Sequence, residues 1–159
     1  MAAPVSELAY PSLLPEIAAF ARGEHKMLID GEWVSAQSGE TLGVIDPATG
    51  QEIAQVPAGD AADVDLAVAA ARRAFDSGDW PRLSPADRGK LLWRLAELID
   101  QHTEELAQLE SLDNGKPAQA AREADVPGSA SMFRYFAGWA DKVEGNFIPL
   151  AVAAPDSHH

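Results

Sequence analysis

Residues 84–117, SPADRGKLLWRLAELIDQHTEELAQLESLDNGKP, decide how the rest of the chain is read. The stretch reads as one long amphipathic helix with its own start and stop. Ser84 can cap with its hydroxyl, Pro85 suits the first turn, and Asp87 puts a negative charge at the positive end of the helix. Leu91, Leu95, Leu98, Leu106 and Leu109 fall near one face, and Leu92, Ile99 and Leu112 widen that stripe. Asn114-Gly115 supplies a left-handed stop, Lys116 sits by the negative end, and Pro117 prevents continuation. A helix of roughly 30 residues is about 45 Å long. It cannot bury its stripe alone, so neighbouring segments, another domain or another chain must cover it.

Upstream, Asp60 opens a second helix that runs to Gly78, with Asp63 placed for a capping box. Val64, Val68, Ala71 and Phe75 recur on it at helical spacing, and its alanines permit a close approach to the long helix. Trp80 is expected to wedge between the two. Before it lie two predicted hairpins. Residues 27–34, MLIDGEWV, turn at Asp30-Gly31, with Trp33 covering the pair. Residues 41–45 and 53–56 flank the turn sequence DPATG at 46–50. Residues 1–26 read as a surface arm broken by Pro4, Pro11 and Pro15, with one short helix possible around Leu14, Ile17, Ala18 and Phe20 before Gly23.

Downstream, a third major helix is expected from about Asp125, with Pro127 in its first turn and Gly145 closing it. Met132, Phe136, Trp139 and Val143 would line its apolar face. Asn146 to Leu150, NFIPL, reads as the start of a strand that has no partner after it, so the architecture looks interrupted.

Composition excludes several function classes. The chain has 159 residues, which suits one domain with an arm, and 47% hydrophobic residues, enough for a core. Twelve basic residues against 25 acidic ones give a net charge of −13, which argues against a nucleic-acid surface. With no cysteine, the chain can supply neither a disulfide nor a thiolate. No apolar run is long enough to span a bilayer and no secretory signal is evident, so a cytoplasmic location is the default expectation.

Candidate chemistry is sparse. There is no glycine-rich phosphate loop and no GxSxG serine. His25 and His102 read as surface residues, and His158-His159 as part of a loop, the alternative being a weak metal site. Glu104-Glu105 and Asp63/Asp65 read as solvated helix faces. Asp113 has two readings: part of a helix C-cap, or an oxygen ligand for a hard cation. Met132 and Trp139 read as core.

Taken in order, five pieces resemble the N-terminal part of an NAD(P)-dependent aldehyde dehydrogenase. They are MLIDGEWV (27–34), VIDPATGQEIAQVPAGDAADVDLAVAAARRAFDSGDW (44–80), SPADRGKLLWRLAELID (84–100), LESLDNGKP (109–117) and MFRYFAGWADKVEGNFIP (132–149). LDNGKP followed by FRYFAGWADKVEG is the most specific part. The segment from His25 to Leu28 also resembles members acting on phenylacetaldehyde or related aldehydes.

The resemblance implies an α/β fold: the first part of a cofactor-binding domain, made of short β-hairpins and long helices, then an oligomerisation arm. It divides the chain into an N-terminal arm (1–26), the first part of the cofactor-binding domain (27–145) and the start of the strand arm (146–159). It also implies a reaction in the intact enzyme. A cysteine thiolate attacks the aldehyde, hydride passes to NAD or NADP, and water activated by a glutamate hydrolyses the thioester. None of those catalytic or cofactor-binding groups is carried over to this sequence, so the chain alone is expected to be inactive and to bind no cofactor. Two lesser roles transfer. Ala124 and Gly128 would stand on the wall of the aldehyde entrance tunnel, the alternative being that they merely ease helix packing. The Val44 carbonyl and Asp113 would hold a monovalent cation. Expected partners are further copies of the chain or the remaining part of a dehydrogenase. The rival reading is a non-catalytic interaction or assembly module.

Overall fold

The computed structural model describes residues 13–145, so the strand expected after Asn146, the terminal histidine pair, Pro4 and Pro11 lie outside the described residues. Two separate two-stranded sheets come first. β1 (Met27–Ile29) pairs antiparallel with β2 (Glu32–Val34) across Asp30-Gly31. Both turn residues have positive φ, 56° and 81°, as a two-residue hairpin of this twist demands. β3 (Thr41–Ile45) pairs antiparallel with β4 (Glu52–Pro57), with a register shift between Val44 and Ile45. The buried Asp46 holds the intervening turn by accepting from the Ala48 N–H and the Thr49 hydroxyl.

The arm expected at the N-terminus is, from Leu13 onward, seated on the core. α1 (Pro15–Arg22) ends at Gly23, and its buried Ile17 and Ala21 bring it against Ile53 and Leu112. α2 (Ala61–Ser77) starts on the predicted capping box, with Asp60 and Asp63 each accepting from the other's backbone N–H. Asp63 is buried rather than solvated, because it also accepts from the Gln37 N–H. The apolar face of α2 points outward instead: Val68 is 61% exposed and Phe75 71%. α2 packs on β1 and on the short turn Trp80–Arg82, so the expected helical hairpin with the long helix does not form. Trp33 is 66% exposed and Trp80 49%, so neither is the buried cover or wedge expected.

The long helix is two helices. α3 (Pro85–Gln101) starts as predicted, Ser84 accepting from the Asp87 N–H. It stops at His102, whose φ of −105° and ψ of 23° leave the helical region. The Thr103 hydroxyl donates to the Asp100 carbonyl at 2.8 Å, taking up an acceptor that the broken ladder releases. α4 (Thr103–Asn114) then runs to Gly115, whose φ of 79° is the predicted left-handed stop.

The last helical stretch begins earlier than expected. α5 (Ala118–Ala120) leads through a π turn, Ala121–Asp125, into α6 (Val126–Trp139). In the π turn the Val126 N–H reaches back to the Ala121 carbonyl. Pro127 accounts for the widening, since its ring would crowd the carbonyl four residues back and it has no N–H to donate. α6 ends before Gly145, so Val143 lies beyond it, and Met132, Phe136 and Trp139 are exposed rather than core.

α6 lies antiparallel on α3. Gly89 meets Ala137 and Ala140 at one end, while Arg134 pairs with Asp100 and stacks over Trp93 further along. Small residues permit this approach. Most of the buried apolar residues described are alanines: Ala21, Ala36, Ala70, Ala96, Ala107, Ala121 and Ala130.

Candidate functional site

Where β3 and β4 face α4 and α6, they leave an open cleft of about 800 Å³. Its walls are mainly apolar: Val44 and Ile53 from the hairpin, Leu106 and Leu109 from α4, Val126 and Phe133 from α6. Glu110, Asp113, Ser129 and His25 add polar groups. His25 is half-buried rather than at the surface, edge-on to Phe20 with ring centroids 5.0 Å apart. His102 is exposed and pairs with Glu105 through Nδ1 at 3.0 Å.

Val44 and Asp113, far apart in sequence, line this same cleft. Two local features bring them there. The DPATG turn folds Pro47 against Gly115, just past the end of α4, and the register shift breaks the ladder beside Val44. The Asp113 carboxylate is exposed and makes no ion pair or side-chain hydrogen bond among the described residues. One carboxylate and one carbonyl are oxygen donors of the kind a hard cation takes. No cluster of three or more His, Asp or Glu side chains converges on a metal position among the described residues.

Ala124 and Gly128 both face outward, the first from the π turn and the second from the opening turn of α6. A Cβ placed on Gly128 would meet nothing within 4 Å, so no described residue uses its smallness for packing.

The openings of α2 and α3 do not suit the pyrophosphate of a dinucleotide. Asp60 and Asp63 stand at the first turn of α2, and Ser84 and Asp87 at that of α3. Asp60 holds the Ala62 and Asp63 N–H groups and the Ser84 hydroxyl holds that of Asp87, while the carboxylates of Asp60, Asp63 and Asp87 would repel a pyrophosphate.

The strongest electrostatic feature was not legible in the sequence. Glu104 and Arg122, 18 residues apart, form a two-pronged ion pair, with Nη2 donating to Oε1 at 2.7 Å and Nε to the other oxygen. Gln108 donates to the same Oε1 at 2.7 Å. The Arg122 bond, then the Gln108 bond, draws the Glu104 carboxyl down from an ordinary 4.5 to about 2. Neither residue belongs to a motif, and only the fold brings them together.

These elements, in this order, have counterparts in known proteins. The sequence profile of the aldehyde dehydrogenase family matches residues 33–158. The chain belongs to the aldehyde dehydrogenase family.

It is similar to aldehyde dehydrogenase family 2 member B4 of Arabidopsis thaliana, a mitochondrial protein, at 51% identity over 124 residues, which is 78% of this chain and 23% of the relative. The mitochondrial benzaldehyde dehydrogenase of Antirrhinum majus is 46% identical over 84% of this chain and 24% of its own length. Among solved structures, the NAD+ complex of the Bacillus cereus aldehyde dehydrogenase superposes with a TM-score of 0.83 at 47% identity, over 87% of this chain and 28% of that one. The hairpins and helices are therefore those of the aldehyde dehydrogenase fold, and the chain spans about a quarter of the length of the curated relatives it matches. No helix among the described residues is long and apolar enough to cross a membrane.

Proposed function

We propose that this aldehyde dehydrogenase chain is the N-terminal portion of an enzyme that oxidises an aldehyde to its carboxylic acid with NAD+. The observation that carries the reading is the ordered match of hairpins and helices to an NAD+-binding dehydrogenase over 87% of the chain. In such a reaction the cofactor supplies a hydride acceptor, and a thiol must attack the carbonyl carbon. This chain has no cysteine, so it is inactive alone, and none of its residues holds the cofactor.

Its residues have supporting roles in the intact enzyme. Ala124 and Gly128, small and outward-facing, form part of the aldehyde's path and leave room for a bulky, aromatic aldehyde of the phenylacetaldehyde kind. The Val44 carbonyl and Asp113 hold a monovalent cation beside the cleft. Residues 1–26 act as an arm, 27–145 as the first part of the cofactor-binding domain, and 146–159 as the start of the oligomerisation arm. The expected compartment is the cytoplasm. In the intact enzyme, Ala124→Trp should lower kcat/KM for aromatic aldehydes at least tenfold more than for acetaldehyde, about 1.4 kcal/mol of discrimination. Equal losses for both would remove Ala124 from the path.

A second reading is supported by the open cleft and the exposed faces of α2 and α6: a non-catalytic assembly module that binds copies of itself or the rest of a dehydrogenase chain. Intact mass together with native mass separates the two. A 159-residue chain that associates or co-purifies with a larger dehydrogenase chain favours the module. A larger intact mass, with NAD+-dependent aldehyde oxidation, favours the enzyme. Oxidation by the 159-residue chain alone would refute the proposed inactivity.

A further inference from the structure

The π turn is tied to α4 on two sides. Within it, Arg122 holds Glu104 with two N–H groups and Asp125 pairs with Lys116, just beyond the end of α4. Facing inward, the buried Ala121 and Val126 pack with Ala107. Glu104 is itself braced, because Gln108 donates to it and accepts from the Leu14 N–H at 2.7 Å. Pro127 explains why a widened turn occurs in this helix, but it does not choose which residues form it. A π turn holds one residue more than an α turn, so moving it by one position rotates the displaced residue by roughly 100°. Such a slip would put Glu123 or Asp125 near the place of Ala124, a carboxylate where the surface now shows a methyl group.

We propose that Arg122 and Glu104 are positioning residues that fix the register of the π turn, so that Ala124, rather than Glu123 or Asp125, stands one turn before Gly128 on the outward face. That this face borders the aldehyde rests on the functional reading above, whereas the register does not. The planar fork suits the task, since two parallel N–H···O bonds fix direction as well as distance.

The test is amide hydrogen exchange, read by NMR on the 159-residue chain. Arg122→Met and Glu104→Gln should each speed exchange of the Val126 N–H roughly tenfold. Arg122→Lys should slow it again. Exchange within α3 and the melting temperature should stay near those of the parent. Unchanged Val126 exchange in both variants would overturn the proposal. So would faster exchange across the whole chain, because the pair would then only stabilise the fold. None of these outcomes depends on the aldehyde reading, which fails separately if Ala124→Trp leaves aldehyde preference unchanged in the intact enzyme.

Discussion

A Cβ added to Gly89 would stand 2.9 Å from the carbonyl oxygen of Ala137. The contact is between two helix backbones, so neither side can swing away as a flexible side chain would. Gly89→Ala gains about 1 kcal/mol of helix propensity. Overpacking α3 against α6 costs roughly 1–3 kcal/mol. A net loss of about 1 kcal/mol is expected in urea unfolding. Gly138→Ala is the control: its Cβ would meet nothing within 4 Å, and it should gain about 0.5–1 kcal/mol.

Gly115 carries two constraints at once. Its φ is 79°, and a Cβ there would lie 2.8 Å from Pro47 Cγ. Gly115→Ala should therefore cost roughly 1–2 kcal/mol by urea unfolding. It should also disturb the approach of the DPATG turn to the end of α4, visible as shifted NMR resonances for Val44 and Asp113.

Removing the Asp63 carboxylate leaves the N–H groups of Asp60 and Gln37 without this acceptor at a position only 3% exposed. Asp63→Ala should lower stability by roughly 2 kcal/mol. Asp65→Ala, on the exposed side of α2, should stay within about 0.5 kcal/mol.

Acid should loosen the π turn through Glu104. Its carboxyl lies near 2 in the folded chain against an ordinary 4.5. A depressed carboxylate contributes stability that is fully present above about 4.5 and is lost as the pH falls toward 2. The pair is partly exposed, 40% and 43%, so solvent screens much of that contribution. Glu104→Gln should flatten the fall in melting temperature across that window without changing its shape above pH 5.

The outward faces of α2 and α6 should drive association. Val68→Ser with Phe75→Ser changes two residues that are 61% and 71% exposed. Sedimentation should show less self-association, with chemical stability altered by less than about 0.5 kcal/mol per site.

Local signals in the sequence translated well into local structure. Asp60 and Ser84 opened their helices, Asp30-Gly31 made the hairpin, and Gly115 took the left-handed stop. Each acts within a few residues, so the sequence carries its whole cause. The break at His102 has no glycine or proline to announce it, and the leucine periodicity runs straight through. Periodicity groups residues on a face but does not say what covers that face, so Val68, Met132 and Phe136 read as core and lie exposed. At the candidate site, Val44 and Asp113 came from family likeness, and the structure adds that they share a cleft. The Arg122–Glu104 pair left no trace in the sequence, because long-range ion pairs have no spacing rule.

The predominance of alanine at buried positions has a calorimetric consequence. Each methyl group withdraws little apolar surface from water, and the heat-capacity increment on unfolding follows that surface. A folded domain of ordinary composition shows about 12–15 cal/mol/K per residue. This chain should fall below that range, with a shallow stability curve and a broad calorimetric peak.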